Sequence, residues 1–133
     1  MSFNFFRKWM CISGDVHIRK WERKQMTGGN LLKIIQEIRK FDPQIESQAI
    51  AIFFLVGLEA GKDGISMQDI ANKLDLAQSS VSRNVFKLSF NNKNRNIGLV
   101  ESFEDPKERR RKLVILSPKG KMVFDTLKDY VKQ

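Results

Sequence analysis

The spacing of apolar residues in the middle of the chain predicts a series of short helices. From Leu31 to Phe41 the apolar residues recur at helical intervals and form a broad apolar face. Asp42-Pro43 ends this helix and starts the next, since proline is tolerated in a first turn. The following segment, Ile45 to Ala60, is apolar nearly all round. Such a helix must be covered on several sides, so we expect it to lie at the centre of the core.

Two shorter helices are predicted next, joined by a three-residue turn. Ser66 is a candidate N-cap, with Asp69 three residues on in a position that resembles a capping box. After the turn at 75–77, the residues Val81, Val85 and Leu88 make one apolar stripe. Two short helices on one core predict a helix-turn-helix, although antiparallel helix pairs in ordinary bundles show a similar pattern.

The last third of the chain predicts a β-hairpin and a final helix. Strands are expected at 99–103 and 112–116, separated by a charged turn at 104–111. Ser117 is the expected cap of the final helix and Pro118 its first residue. The fold class is therefore mostly α with a small β-hairpin, a winged helix-turn-helix over residues 30–133.

Residues 1–29 are expected to form an aromatic and basic N-terminal arm with a linker. Helical spacing of Phe5, Trp9 and Ile12 favours a helix, whereas Ser13-Gly14-Asp15-Val16 is compatible with a hairpin turn. The glycine pair in Thr27-Gly28-Gly29-Asn30 predicts a break before the main domain. This arm is a candidate surface for self-association or for a protein partner.

Charge points to a polyanionic partner, because 24 Lys and Arg residues against 15 acidic residues give a net charge of +9. Double-stranded DNA is favoured over RNA, whose deep, narrow major groove does not admit a helix. Membrane association is less favoured, since it would rest on the basic, aromatic N-terminus alone. No apolar stretch has transmembrane length, and no convincing signal peptide is present.

Residues for catalysis or for a cofactor are scarce. His17 is the sole histidine, and no glycine-rich phosphate loop or metal-ligand cluster is visible. Cys11 is the sole cysteine, which excludes an intramolecular disulfide and a cysteine-rich zinc site and fits a reducing, cytoplasmic setting. We therefore expect neither an enzyme nor a cofactor.

The predicted DNA contacts lie on the second helix of the helix-turn-helix and on the hairpin tip. That helix lacks acidic residues, and its N-terminal part would meet base edges in the major groove, where Gln pairs with adenine and Arg with guanine. The alternative for Ser79 and Ser80 is that they cap the helix. The candidates on this helix are Gln78, Ser79, Ser80, Ser82 and Arg83, with Asn84 and Lys87 nearer the DNA backbone. Those on the hairpin are Lys107, Arg109, Arg110, Arg111 and Lys112. The polar loop 91–96 is a further candidate, with a disordered loop as the equal alternative.

These segments resemble the MarR family of winged-helix DNA-binding regulators over about residues 43–125. The resemblance lies in ISMQDIANKLDLAQSSVSRNVFKL at 65–88, GLVE at 98–101 and DPKERRRKLVILSPKG at 105–120. It implies dimers that bind palindromic DNA, usually as repressors, and that are often released by small phenolic ligands or oxidants. It also implies DNA contacts at Gln78, Ser79, Ser82 and Arg83 and a wing-tip arginine, Arg109 or Arg110. A neighbouring acid, Asp105 or Glu108, would hold that tip by a salt bridge.

The sequence departs from the family in three places. Ala77 stands where a capping Ser or Thr is usual, and the connection before the first wing strand is longer. Members normally continue into a long C-terminal helix that builds the dimer, whereas this sequence ends at Gln133. We expect a sequence-specific transcriptional regulator that acts as a repressor and forms a homodimer. The aromatic arm and the helix from Leu31 to Phe41 are candidates for a different self-association surface. The alternative is a winged-helix protein-interaction or replication-complex module with weak or non-specific DNA binding.

Overall fold

The computed structural model describes residues 28–89 and 97–132. These residues form five helices and a three-stranded antiparallel sheet of order β1-β3-β2. The helices are α1 (Gly28–Arg39), α2 (Ser47–Glu59), α3 (Met67–Leu74), α4 (Gln78–Leu88) and α5 (Pro118–Lys132). The strands are β1 (Ile65–Ser66), β2 (Val100–Glu104) and β3 (Lys112–Leu116). The order confirms the predicted mostly α fold, with a helix-turn-helix followed by a hairpin.

Helix α1 begins earlier than the sequence predicts. Gly28 and Gly29 lie in its first turn, where a break was expected, and a Cβ at Gly28 would meet nothing within 4 Å. The first-turn amides of a helix have no intrahelical partner, so the low helix propensity of glycine matters less there than in the interior. The arm at 1–27 lies outside the described residues, so its helix or hairpin and the domain division at residue 29 stay predictions.

Helix α2 occupies the centre of the core, as its all-round apolar sequence predicts. Its Ile52, Phe53 and Val56 are buried, and Phe53 packs edge-on against Phe124 of α5 at a centroid distance of 6.1 Å. Gly57 makes this contact possible, because a Cβ there would lie 2.5 Å from the Phe124 ring. The apolar side chains of α2 therefore join α5 to the rest of the domain. Within the described residues, no helix combines the length and apolar character needed to cross a bilayer.

Helices α3 and α4 form the helix-turn-helix. The Ser66 hydroxyl accepts a hydrogen bond from the Asp69 amide at 3.0 Å, which confirms the predicted N-cap of α3. Asp75 ends α3 in the left-handed conformation (φ 54°, ψ 48°), which turns the chain into α4. Val81, Val85 and Leu88 bury the inner side of α4.

Replacing Ser66 with alanine should destabilise the domain by about 1 kcal/mol, because the first turn of α3 then loses its side-chain acceptor. The urea midpoint of unfolding would measure this loss. Ser66→Thr keeps a hydroxyl and should recover much of it, while Ser102→Ala, at an exposed position of β2, should have little effect. An unchanged midpoint for Ser66→Ala would show that the cap contributes nothing.

Strand β1 was not predicted, and it attaches the hairpin to the helix-turn-helix. Ile65 pairs with Val114 and Ser66 with Leu113, directly before α3 begins. On its other side β3 pairs with β2, from Val100 opposite Leu116 to Glu104 opposite Lys112. A two-residue strand has no periodicity that sequence could show. Its pairing fixes the base of the hairpin relative to α3.

The start of α5 is fastened to the chain just before β2. The Ser117 hydroxyl accepts from the Gly120 amide at 2.9 Å and donates to the Gly98 carbonyl, which confirms Ser117 as a cap. The Ser117 amide donates to the Leu99 carbonyl at 3.0 Å. A Cβ on Gly120 would lie 1.9 Å from that same Leu99 oxygen, so only glycine fits at this position.

Candidate nucleic-acid interface

Helix α4 has an exposed polar face, as its sequence predicts. Gln78, Ser79, Ser82 and Arg83 are exposed and Ser80 is half-buried. Ala77 is the N-cap residue, and its side chain makes no capping hydrogen bond. Ser79 and Ser80 therefore lie inside the first turn of α4, which disfavours the alternative that either of them is its N-cap. The exposed hydroxyls of Ser79 and Ser82 are available for an outside partner.

Asn84 is the exception among the predicted contacts, because its side chain is only 1% exposed. Its Nδ2 donates to the Ser80 carbonyl at 2.9 Å and to Oε1 of Gln48 in α2 at 3.3 Å. Within the described residues, Oδ1 of Asn84 has no hydrogen-bond partner. The prediction that Asn84 meets the DNA backbone is wrong for this structure. Asn84 instead holds the inner side of α4 against α2.

Lys87 is already paired with an acidic residue. Its Nζ donates to Oε1 of Glu46 at 2.9 Å, at the start of α2. The hydrogen bond from Lys87 and its charge lower the pKa of Glu46, and the charge of Arg83 lowers it further. A DNA phosphate at Lys87 would therefore have to compete with Glu46. Lys73 of α3 is paired in the same way with Glu59, at the end of α2.

The tip of the hairpin is a closed turn that displays cations. Backbone hydrogen bonds join Asp105 N to Arg111 O at 2.8 Å and Arg111 N to Glu108 O at 2.9 Å. The Asp105 carboxylate accepts from the Lys107 amide at 2.9 Å, as an Asx turn does. The predicted wing residues are all exposed: Lys107, Arg109, Arg110, Arg111 and Lys112. The loop 91–96 lies outside the described residues.

An open cleft of about 600 Å³ separates the beginning of α4 from the hairpin. Gln78, Ser79 and Ser82 line it on the helix side. Arg110, Arg111 and Lys112 line it on the hairpin side, together with the acidic Glu108. The structure thus brings half of the predicted residues to one concave surface. Gln68 of α3 lines the cleft as well. Gln68 was not predicted from the sequence, although its place two residues after the Ser66 cap put it in the exposed first turn of α3.

Solved structures share this arrangement of helices and strands. The S. aureus MepR–DNA complex matches with a TM-score of 0.61 at 18% identity, over 87% of this chain and 82% of that chain. A MepR mutant from a multidrug-resistant S. aureus clinical isolate matches with a TM-score of 0.58 at 22% identity, over 73% and 63%. A transcriptional regulator of the MarR family from Rhodococcus sp. RHA1 matches with a TM-score of 0.53 at 22% identity, over 74% and 64%. The chain has the winged-helix fold of the MarR family.

At the level of the fold, these matches confirm the resemblance to the MarR family that the sequence indicated. No family model and no curated protein matches the sequence. The chain spans less than two thirds of the length of the clinical-isolate MepR chain and of the Rhodococcus regulator. The hairpin of β2, β3 and the turn between them is the wing of this fold.

The wing differs from the MarR-type expectation in how its tip is held. Among the described residues, Arg111 is the arginine of the wing that forms an ion pair. Its Nη2 lies 3.3 Å from Oδ2 of Asp69 in α3. The salt bridge implied for Asp105 or Glu108 is not found within residues 97–132. Both partners of the observed pair are exposed, so it contributes at most about 1 kcal/mol. The backbone hydrogen bonds within the turn also hold the tip.

Proposed function

We propose that the protein is a non-enzymatic, sequence-specific transcriptional regulator that binds double-stranded DNA as a cytoplasmic homodimer and acts as a repressor. The observation that carries this proposal is the common cleft of α4 and the wing. In it, hydrogen-bonding side chains of one helix face the same open space as three cations and one carboxylate, Glu108, of the hairpin. The likeness in fold to the MepR–DNA complex gives independent support.

Helix α4 is suited to the major groove. An α-helix with its side chains is about 10–12 Å across, and the groove is about 12 Å wide. Gln78 and Arg83 supply the side chains that pair with adenine and guanine, and Ser79 and Ser82 can meet bases or phosphates. No acidic residue on α4 would repel the duplex.

The wing is suited to phosphates and to the minor groove. Arg109 and Arg110 are exposed at the tip of a closed turn, which holds their backbone in place before DNA arrives. A narrow minor groove concentrates negative potential and attracts arginine. Lys107 and Lys112 lie on the same hairpin, where they would meet the phosphates beside that groove.

Apolar side chains that are exposed on α1 and α5 support the formation of a homodimer. The two helices pack on each other, and Leu31, Leu32 and Val131 remain exposed on them. The domain division at residue 29, and a protein partner for the arm that precedes it, are further parts of the proposal that rest on sequence.

Arg110→Ala should lower the salt dependence of DNA binding. Each phosphate that a cation neutralises releases counterions, so losing one contact reduces the slope of log K against log salt by about one unit. Fluorescence anisotropy titrations over a range of salt concentrations would give this slope. Lys132→Ala removes the same charge from the end of α5 and should leave the slope unchanged. An unchanged slope for Arg110→Ala would remove Arg110 from the interface.

The experiment that tests the proposed function compares a DNA duplex with an RNA duplex of the same sequence. We expect binding to DNA and much weaker binding to RNA, because α4 cannot enter the major groove of A-form RNA. Equal binding to both duplexes, or binding to neither, would contradict the proposal.

A further inference from the structure

Phe86 carries a large apolar ring on the exposed face of α4, in the last turn of the helix. At about 100° per residue, Ser82, Phe86 and Ser79 follow Gln78 around the helix at about 40°, 80° and 100°. Arg83 completes this face at about 140°. The buried stripe of α4 lies on the other side, with Leu88, Val81 and Val85 at about 280°, 300° and 340°. Phe86 therefore lies on the same side of α4 as the side chains that we propose to meet DNA, one turn beyond Ser82 and Arg83.

The Phe86 side chain is not part of the hydrophobic core. Phe86 is 54% exposed, whereas Val85 and Leu88, its neighbours on α4, are buried. Its backbone carbonyl ends the helix by accepting from the amide and the hydroxyl of Ser89, at 3.3 Å and 2.8 Å. Any residue could supply that carbonyl, so the aromatic side chain is not needed to end the helix.

An exposed apolar side chain is common on protein surfaces and carries no function by itself. The position of Phe86 is what distinguishes it. It stands one helical turn, about 6 Å, after Ser82, on the same side of α4. Its ring also extends further from the helix axis than a serine side chain does, so it can reach the groove from the last turn. A ligand that fits there must present an apolar group within a largely polar groove.

The major groove presents one such group on its base edges, the 5-methyl group of thymine, and phenylalanine is among the side chains that contact it. We infer that Phe86 is a specificity-determining residue that packs on a thymine methyl group. This inference rests on the proposed function. It adds a second kind of reading, by apolar contact, to the hydrogen bonds offered by Gln78 and Arg83.

The test is a methyl scan of the preferred duplex. Each thymine is replaced in turn by uracil, which removes the methyl group and leaves the pairing edge unchanged, and binding is measured for the wild type and for Phe86→Ala. We expect one thymine per half-site at which the wild type loses affinity about fourfold, the value of one buried methyl group. Phe86→Ala should bind the thymine and uracil duplexes equally at that position.

Three controls keep the outcome unambiguous. Leu58→Ala removes another exposed apolar side chain, near the end of α2, and should keep the methyl dependence of the wild type. Phe86→Leu should keep part of that dependence, and thermal melting checks that both Phe86 variants fold. If Phe86→Ala retained the full methyl dependence, or if no thymine mattered to the wild type, the inference would be wrong while DNA binding stood. A wild type that binds no duplex would overturn the proposed function and this inference together.

Discussion

Arg83→Ala is expected to weaken binding to the preferred duplex by about 1–3 kcal/mol and to relax the preference at one base position. Arg83 is exposed on the outer face of α4, one residue after Ser82, which lines the cleft. A guanidinium can donate two hydrogen bonds to the O6 and N7 atoms of guanine, and alanine can donate none. Binding of the wild type and the variant to duplexes substituted at each position in turn would measure both effects.

Arg83→Lys is the matched control for that experiment. Lysine keeps the positive charge but lacks the planar, forked donors of arginine. We therefore expect it to keep most of the non-specific affinity and to lose discrimination at the same base. If Arg83→Ala weakened binding equally on every sequence, Arg83 would be a phosphate contact and base reading would rest elsewhere on α4.

Gly120→Ala is expected to destabilise the domain by about 1–3 kcal/mol or more, a typical cost of overpacking. The added Cβ would lie 1.9 Å from the Leu99 carbonyl oxygen, so the start of α5 and the segment before β2 would have to move apart. That movement would also disturb the hydrogen bond from the Ser117 amide to the same carbonyl. Urea unfolding of the wild type and the variant would measure the loss.

Gly28→Ala is the matched control for the Gly120 experiment. Nothing lies within 4 Å of a Cβ at Gly28, which is also in the first turn of a helix. Alanine there should leave stability unchanged or raise it slightly, because alanine has the higher helix propensity. An equal effect at both positions would show that the close approach of Gly120 to Leu99 is not what requires glycine.

The parts of the fold that depend on local chemistry were predictable from sequence. Ser66 was identified as a cap because Asp69 follows three residues later, and Ser117 because Pro118 follows at the first helical position. Strand β3 was predicted at its observed bounds, and β2 was displaced by one residue. The two-residue strand β1 could not be predicted, since it exists only through pairing with a partner almost fifty residues away.

In the candidate site, too, the features that depend on local sequence were predictable, and those that depend on tertiary contacts were not. The exposed face of α4 and the cationic wing tip followed from the periodicity and the charge of the sequence. Asn84 was misplaced, although it lies three residues after Val81 and four before Leu88, a spacing that already put it on the buried side. Phe86 was not among the predicted contacts, because those were chosen for their charge and hydrogen-bonding groups. The Arg111–Asp69 ion pair depends on tertiary placement and left no local signal.

The measurement that tests the central claim most directly is selection from a pool of randomised DNA duplexes at two salt concentrations, followed by sequencing of the bound fraction. We predict an enriched inverted repeat, with half-site centres about 10 base pairs apart or a multiple of that distance, and tighter binding at the lower salt. An inverted repeat would show that two copies of α4 read the same base sequence. Binding without an enriched motif, or no binding at either salt concentration, would contradict a sequence-reading dimer and favour a winged-helix module that serves protein contacts.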